Sequence, residues 1–256
     1  MKFEMWGLLH IIFIISPVIF VIVLYLLTKD KNKETLYKVG FYISLLAVVL
    51  LIARNIEIFI VDNYKFSGEL LPLQICHFAN FVLLYAFWKK DQAFFALAFC
   101  LNLPAALLSI IYANSLTNYT TMFSIRAQVY LWGHMLIVGI TVWALLVDLI
   151  KIDKKTLIKT LKLMVILYIG AIFVNNLLSL ININSNYFYT LRPENGTPLE
   201  IFFNLGKTYS FGFFEINFIY LILTSLLGVF VVIVFYLLYF SFYRLKNSKK
   251  VKLQLT

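Results

Sequence analysis

Seven apolar runs, each close to twenty residues long or longer, constrain this chain more than any other feature. They cover roughly 6–28, 38–61, 70–88, 92–113, 126–150, 160–182 and 216–243. An α-helix rises about 1.5 Å per residue, so about 20 apolar residues cross the hydrocarbon of a bilayer. Backbone in lipid must satisfy its own hydrogen bonds, which leaves helices or closed barrels. Barrel strands alternate polar and apolar residues, and these runs do not. The sequence therefore predicts an all-α polytopic membrane protein, a single bundle of seven transmembrane helices occupying residues 1–256. Composition agrees: 62% of the residues are hydrophobic and 13% charged, where soluble domains carry about 25% charge. Soluble enzymes, disordered chains and nucleic-acid modules are excluded, so the net charge of +10 is not a nucleic-acid footprint.

The basic residues predict orientation. Counting loop by loop, 16 Lys and Arg fall on the side of loops 29–38, 89–90, 151–162 and the C-terminal tail; 5 fall on the other side, and Arg54 lies inside a span. This places the N-terminus outside and the C-terminus in the cytoplasm of a multi-pass cell-membrane protein. The tail also has the charge to touch anionic headgroups. The first apolar run is too long for a removable signal and lacks a small-residue cleavage site. Lysine outnumbers arginine 18 to 4 among many Ile, Asn and Phe, the bias of an AT-rich bacterial genome. The tripeptides Asn118-Tyr119-Thr120 and Asn195-Gly196-Thr197 fit the glycosylation pattern by chance in such a chain.

Polar groups within spans are expensive and mark sites or structural clusters. Here they form a layer in the outer halves: His10, Arg54, Asn55, Glu57, Gln74, Cys76, His77, Asn80, Gln128, His134, Asn175 and Asn176, with Asn102 near mid-depth. Seven or eight residues at about 1.5 Å each put Arg54, Cys76 and His134 about 10 Å below the outer surface. Such a layer implies a polar chamber open to the outer leaflet. Cys76 is expected about one turn inside a helix beginning near Pro72, where the dipole favours thiolate. His77 points about 100° away from its neighbour, so His134 on another helix is the candidate base. Asn80, Asn175 or Asn176 would orient the imidazole or donate to an oxyanion. Arg54 would hold a phosphate or carboxylate, with Glu57 one turn on as its resting partner. The same residues also admit a structural reading, with cysteine as small filler (applied to Cys100), histidine as an interhelical donor (applied to His10 and His77) and Arg54–Glu57 as an ion pair.

The run Leu71-Pro72-Leu73-Gln74-Ile75-Cys76 resembles the Leu-Pro-Leu-x-x-Cys signature of the YwaF-like bacterial integral membrane proteins, relatives of the eukaryotic transmembrane protein 164 family. His134 in the fifth span and the run Asn186-Tyr187-Phe188-Tyr189-Thr190-Leu191-Arg192-Pro193 after the sixth agree with that resemblance. Gln74 departs from it, because the family often has histidine there. The resemblance implies acyl transfer to lipids, with Cys76 as nucleophile and His134 as base. Asn186, Tyr187 and Arg192 join Arg54, Gln74, Asn80, Asn175 and Asn176 as candidate substrate-binding or supporting residues. Membrane phospholipids are the expected partners, with no cofactor and no metal. The alternative is a transporter or a small-solute or lipid-binding protein without catalysis; the apolar cytoplasmic halves and the absence of an internal repeat count against a transporter. No lysine lies in the seventh span, which excludes a retinal Schiff base there, and no metalloprotease helix, serine-hydrolase elbow or nucleotide loop is present. The loop at 183–215 is too aromatic for a solvated connector and is expected to pack over the mouth of the bundle.

Overall fold

The computed structural model describes residues 2–119, 121–194 and 196–254, with the side chains of Asn118 and of 247–254 outside that description. Parts of both glycosylation tripeptides (Asn118, Thr120 and Asn195) and the side chains of the tail lysines Lys249, Lys250 and Lys252 therefore lie outside the described residues. Seven helical segments are long and apolar enough to cross a membrane. In chain order they are α1 (Leu8–Thr28), α2 (Lys33–Val61), α3 (Ile75–Lys89), a broken crossing made of α4 (Gln92–Leu97) and α5 (Leu103–Ile111), α6 (Ile125–Leu146), α7 (Lys154–Leu180) and, after a short α8 (Leu199–Asn204), α9 (Phe218–Gln254).

Two helices start earlier than their apolar runs, because caps and not hydropathy set their ends. Asn32 accepts the Thr35 amide to start α2, and Asp153 accepts the Thr156 amide to start α7; each satisfies an amide that has no partner one turn back. The third crossing differs the other way. Its helix begins at Ile75, not near Pro72, and its 15 residues span only about 22 Å at 1.5 Å each. The deficit is made up by a 3-10 turn, Gly68–Leu70, and a non-helical stretch through Pro72 that ends on a tight Leu73 N–H to Leu71 C=O bond of 2.8 Å. Irregular backbone at membrane depth is tolerated where protein or a cavity surrounds it. In the fourth crossing Pro104 offers no N–H to the preceding turn, and the ladder slips into a π turn, Ala98–Asn102, in which Leu103 N–H reaches Ala98 C=O.

The centre of the bundle is α2, α3 and α6, with α1 and α5 laid against α6. Close approaches fix these contacts. A Cβ on Gly40 would lie 2.1 Å from the Phe87 ring, and one on Gly139 would lie 2.4 Å from Phe20, so glycine is what lets α2 meet α3 and α6 meet α1. On the C-terminal face, Trp143 donates to Thr28, Gln92 bridges Leu149 C=O and Lys151 N–H, and Lys246 pairs with Asp148 at 2.7 Å. Helix α7 meets the rest through α4 at that face, through a Tyr168–Thr224 hydroxyl bond to α9 and through the long loop at the opposite face; α9 also packs on the π turn and α8.

The loop after α7 folds down onto the bundle. A 3-10 turn (Tyr187–Tyr189), α8 and a hairpin of β1 (Tyr209–Phe211) and β2 (Phe214–Ile216) give it structure. Gly212 supplies the positive φ of 64° that the hairpin turn requires.

Candidate functional site

The late start of α3 creates the local chemistry. The first intrahelical bond runs from Phe78 N–H to Gln74 C=O at 2.8 Å, so the amides of Ile75, Cys76 and His77 have no carbonyl one turn back. Cys76 is thus the second residue of the helix, closer to its positive end than a start near Pro72 would put it. Its sulfur lies 3.7 Å from Ser109 Oγ of α5. Ser109 donates its own proton to Ala105 C=O at 3.0 Å, which leaves it an acceptor toward the thiol.

His134 approaches from α6, lines the same cavity as Cys76 and couples electrostatically to its thiol. Its Nδ1 lies 2.7 Å from Tyr130 C=O. A carbonyl only accepts, so Nδ1 carries the proton and Nε2 keeps its lone pair for the thiol. The Tyr130 ring lies against the imidazole with centroids 4.3 Å apart, and its hydroxyl donates to Ser109 C=O at 2.9 Å. Sulfur, serine, imidazole and phenol are thereby interlocked across three helices. They border a small cavity of about 50 Å³ whose wall includes Leu51, Arg54, Cys76, His77, Asn80, Tyr119, Val129, Tyr130, Gly133, His134 and Ile137.

Arg54 closes one side of this cavity. Its guanidinium donates to Asn55 Oδ1 at 3.0 Å, to Glu69 C=O at 3.3 Å and to Glu69 Oε2 at 3.1 Å. The expected partner Glu57 is engaged elsewhere: its carboxylate accepts the Ile125 and Arg126 amides at 3.2 and 2.6 Å, capping α6 where the helix dipole favours an anion. Arg126 also pairs with Glu69, so one carboxylate on the turn before α3 holds two guanidiniums. Tyr119, from the loop before α6, stands beside them; burial pushes its phenol pKa up, although Arg126 and Arg54 pull it down.

The other predicted residues divide by location. Asn80 lines the cavity, but its amide nitrogen turns back to the Cys76 and His77 carbonyls at 3.5 and 3.4 Å. Asn175 and Asn176 do not line the cavity. Asn175 spends its whole amide on the loop, donating to Tyr187 C=O (3.0 Å) and Thr190 Oγ1 (2.8 Å) and accepting Tyr187 N–H (2.9 Å). Asn176 accepts the Glu215 amide of the hairpin at 2.7 Å. Asn186 closes its own turn through Leu191 and Arg192 backbone, and Tyr187 donates its hydroxyl to Gly68 C=O at 2.5 Å. The Asn186–Pro193 run is thus a clasp between α7 and the segment leading into α3. Gln74, Asn186 and Arg192 border a separate polar cleft with Glu69 and Glu194. Glu69 is the partition, facing that cleft while bonded to Arg54 of the cavity. His10 is satisfied on both nitrogens, by Ile110 C=O and Trp6 N–H, and Cys100 is buried in the apolar core.

The sequence model of the TMEM164 family matches residues 5–239. The chain belongs to the TMEM164 family. The matched stretch begins before α1 and ends within α9, so it takes in every crossing that lines the cavity. No curated protein and no solved structure matches the chain. In this TMEM164-family protein, no group of three or more His, Cys, Asp and Glu residues is gathered as a metal site among the described residues. Residues that sequence reasoning missed are Glu69, Ser109, Tyr119, Tyr130 and Gly133. Tyr130 was the most accessible of these, since it lies one turn before His134 on the same face. Glu69 and Ser109 carry no signal until the loop and the fourth crossing are folded against α2 and α3.

Proposed function

We propose that this protein is a phospholipid acyltransferase of the cell membrane, with its N-terminus outside, working through a thioester on Cys76. One observation carries the reading: a thiol in the first turn of a helix shares a cavity with an imidazole whose other nitrogen is held protonated by a backbone carbonyl. That brings together a nucleophile, a base and an orienting group. His134 Nε2 takes the thiol proton as sulfur attacks the ester carbonyl of a donor lipid. The amides at the start of α3, which have no carbonyl one turn back, would donate to the carbonyl oxygen as charge gathers on it. Collapse breaks the carbon–oxygen bond, and the imidazolium returns its proton to the departing lysolipid oxygen. An acceptor hydroxyl then gives its proton to His134 and attacks the thioester; a new ester forms, and the thiolate leaves and recovers the proton. Arg54 stands at the cavity edge with a guanidinium suited to a lipid phosphate.

The test is intact-protein mass spectrometry after incubation in phospholipid nanodiscs. The expected result is an acyl adduct on Cys76, released by neutral hydroxylamine and absent in Cys76→Ala. His134→Ala should form it about 10²–10⁴ times more slowly, the range of general-base catalysis. A wild-type protein that never carries acyl, in cells whose lipid profile is the same with either variant, would refute the proposal.

A further inference from the structure

Gly133 sits in the middle of α6, one residue before the imidazole, in a position where a glycine lowers helix stability relative to alanine. Two other helical glycines, Gly40 and Gly139, are explained by rings pressed on them, at 2.1 and 2.4 Å from a built Cβ. At Gly133 a Cβ would meet nothing within 4 Å, yet the residue lines the cavity beside Cys76. No neighbour needs the missing side chain, so the space itself is the feature to explain.

The spacing says what the space joins. Val129, Gly133 and Ile137 are four residues apart and form one stripe of α6, parallel to the Tyr130–His134 stripe that carries the base. With Leu51 from α2 they give the cavity its apolar lining, alongside the polar Arg54, His77 and Asn80. Gly133 is itself partly exposed, and its neighbour Trp132 is 51% exposed on a helix that crosses the membrane. Gly133 therefore lies between the cavity that holds the sulfur and the exposed flank of α6.

We propose that Gly133 is a window through which one acyl chain of a membrane lipid enters the cavity, and that the size of residue 133 sets which chains reach Cys76. The proposal rests on the acyltransferase reading for its purpose but not for its test. Gly170 of α7 is equally open, but it lies on an exposed face and lines neither of the two hollows described above, which makes it the control.

The experiment alkylates Cys76 in nanodiscs, in a Cys100→Ala background, with N-ethylmaleimide and with N-alkylmaleimides of rising chain length. Gly133→Leu and Gly133→Trp should slow labelling by the long-chain reagent at least tenfold and leave N-ethylmaleimide within twofold. Gly133→Ala should fall between them and wild type, and Gly170→Leu should change neither rate. Unchanged long-chain labelling in Gly133→Leu and Gly133→Trp overturns the window. So does an equal loss with both reagents, which is cavity collapse, or the same loss in Gly170→Leu. Alkylation needs no turnover: a protein that shows the chain-length effect yet forms no thioester keeps the window and loses the acyltransferase reading.

Discussion

Replacing Asn175 by alanine separates the loop clasp from the rest of the bundle. The Asn175 amide makes three hydrogen bonds to the loop, two of them to the backbone of Tyr187, and both residues are fully buried. After truncation the Tyr187 carbonyl keeps the Thr190 amide at 3.3 Å, but its N–H faces no acceptor. An orphaned buried donor costs about 1–3 kcal/mol, and each remaining bond contributes about 0.5–1.5 kcal/mol net. Together these weaken the clasp by roughly 2–6 kcal/mol. At about 1.4 kcal/mol per tenfold, opening of the loop becomes roughly 30- to 20,000-fold more frequent. Amide hydrogen exchange over 186–193 in nanodiscs reads this directly, with the amides of α6 as internal reference. Protection of 186–193 that stays within threefold of wild type would refute the accounting. A loss spread equally over α6 would show instead that loop and bundle open together.

Two further outcomes follow from the same packing and electrostatics. Gly40→Ala places a methyl 2.1 Å from a Phe87 ring that is itself enclosed by Phe95 and Trp143; overpacking of this kind costs about 1–3 kcal/mol, read as a lowered melting temperature with helix content retained. Burial pushes the Tyr187 and Tyr189 phenols up to about 12, so ultraviolet titration should find them ionising about two units above free tyrosine. The sign follows from linkage: the folded state holds these protons more tightly, so stability is level below pH 10 and falls as pH rises from about 10 toward 12. A titration with every tyrosine ionising near 10 would contradict the buried clasp.

The crossings were legible because hydropathy and the length needed to span a bilayer are local properties of a run. So was the level that Cys76 and His134 share, since both line one cavity, although Cys76 stands nearer its helix start than a count from Pro72 puts it. Helix ends were legible less well: Asn32 and Asp153 extend α2 and α7 beyond the greasy runs, and Pro72 stays outside the helix it was expected to open. The Arg54 partner was misassigned because Glu57 is one turn away on the same helix, while Glu69 arrives only when the loop folds back. Asn175 and Asn176 shared the right depth but belong to a helix whose buried amides face the long loop, and depth carries no information about which way a side chain turns.

What the sequence determined by itself is therefore the solvent of this protein: seven rods of lipid-compatible residues and the layer in which their polar groups sit. Tertiary structure alone decided which of those groups meet. The Tyr130 carbonyl that sets the His134 tautomer, the Glu69 carboxylate shared by two arginines and the empty space beside Gly133 are products of how helices rotate and approach one another. That rotation is fixed by contacts such as Gly40 on Phe87 and Gly139 on Phe20, which join residues far apart in the chain.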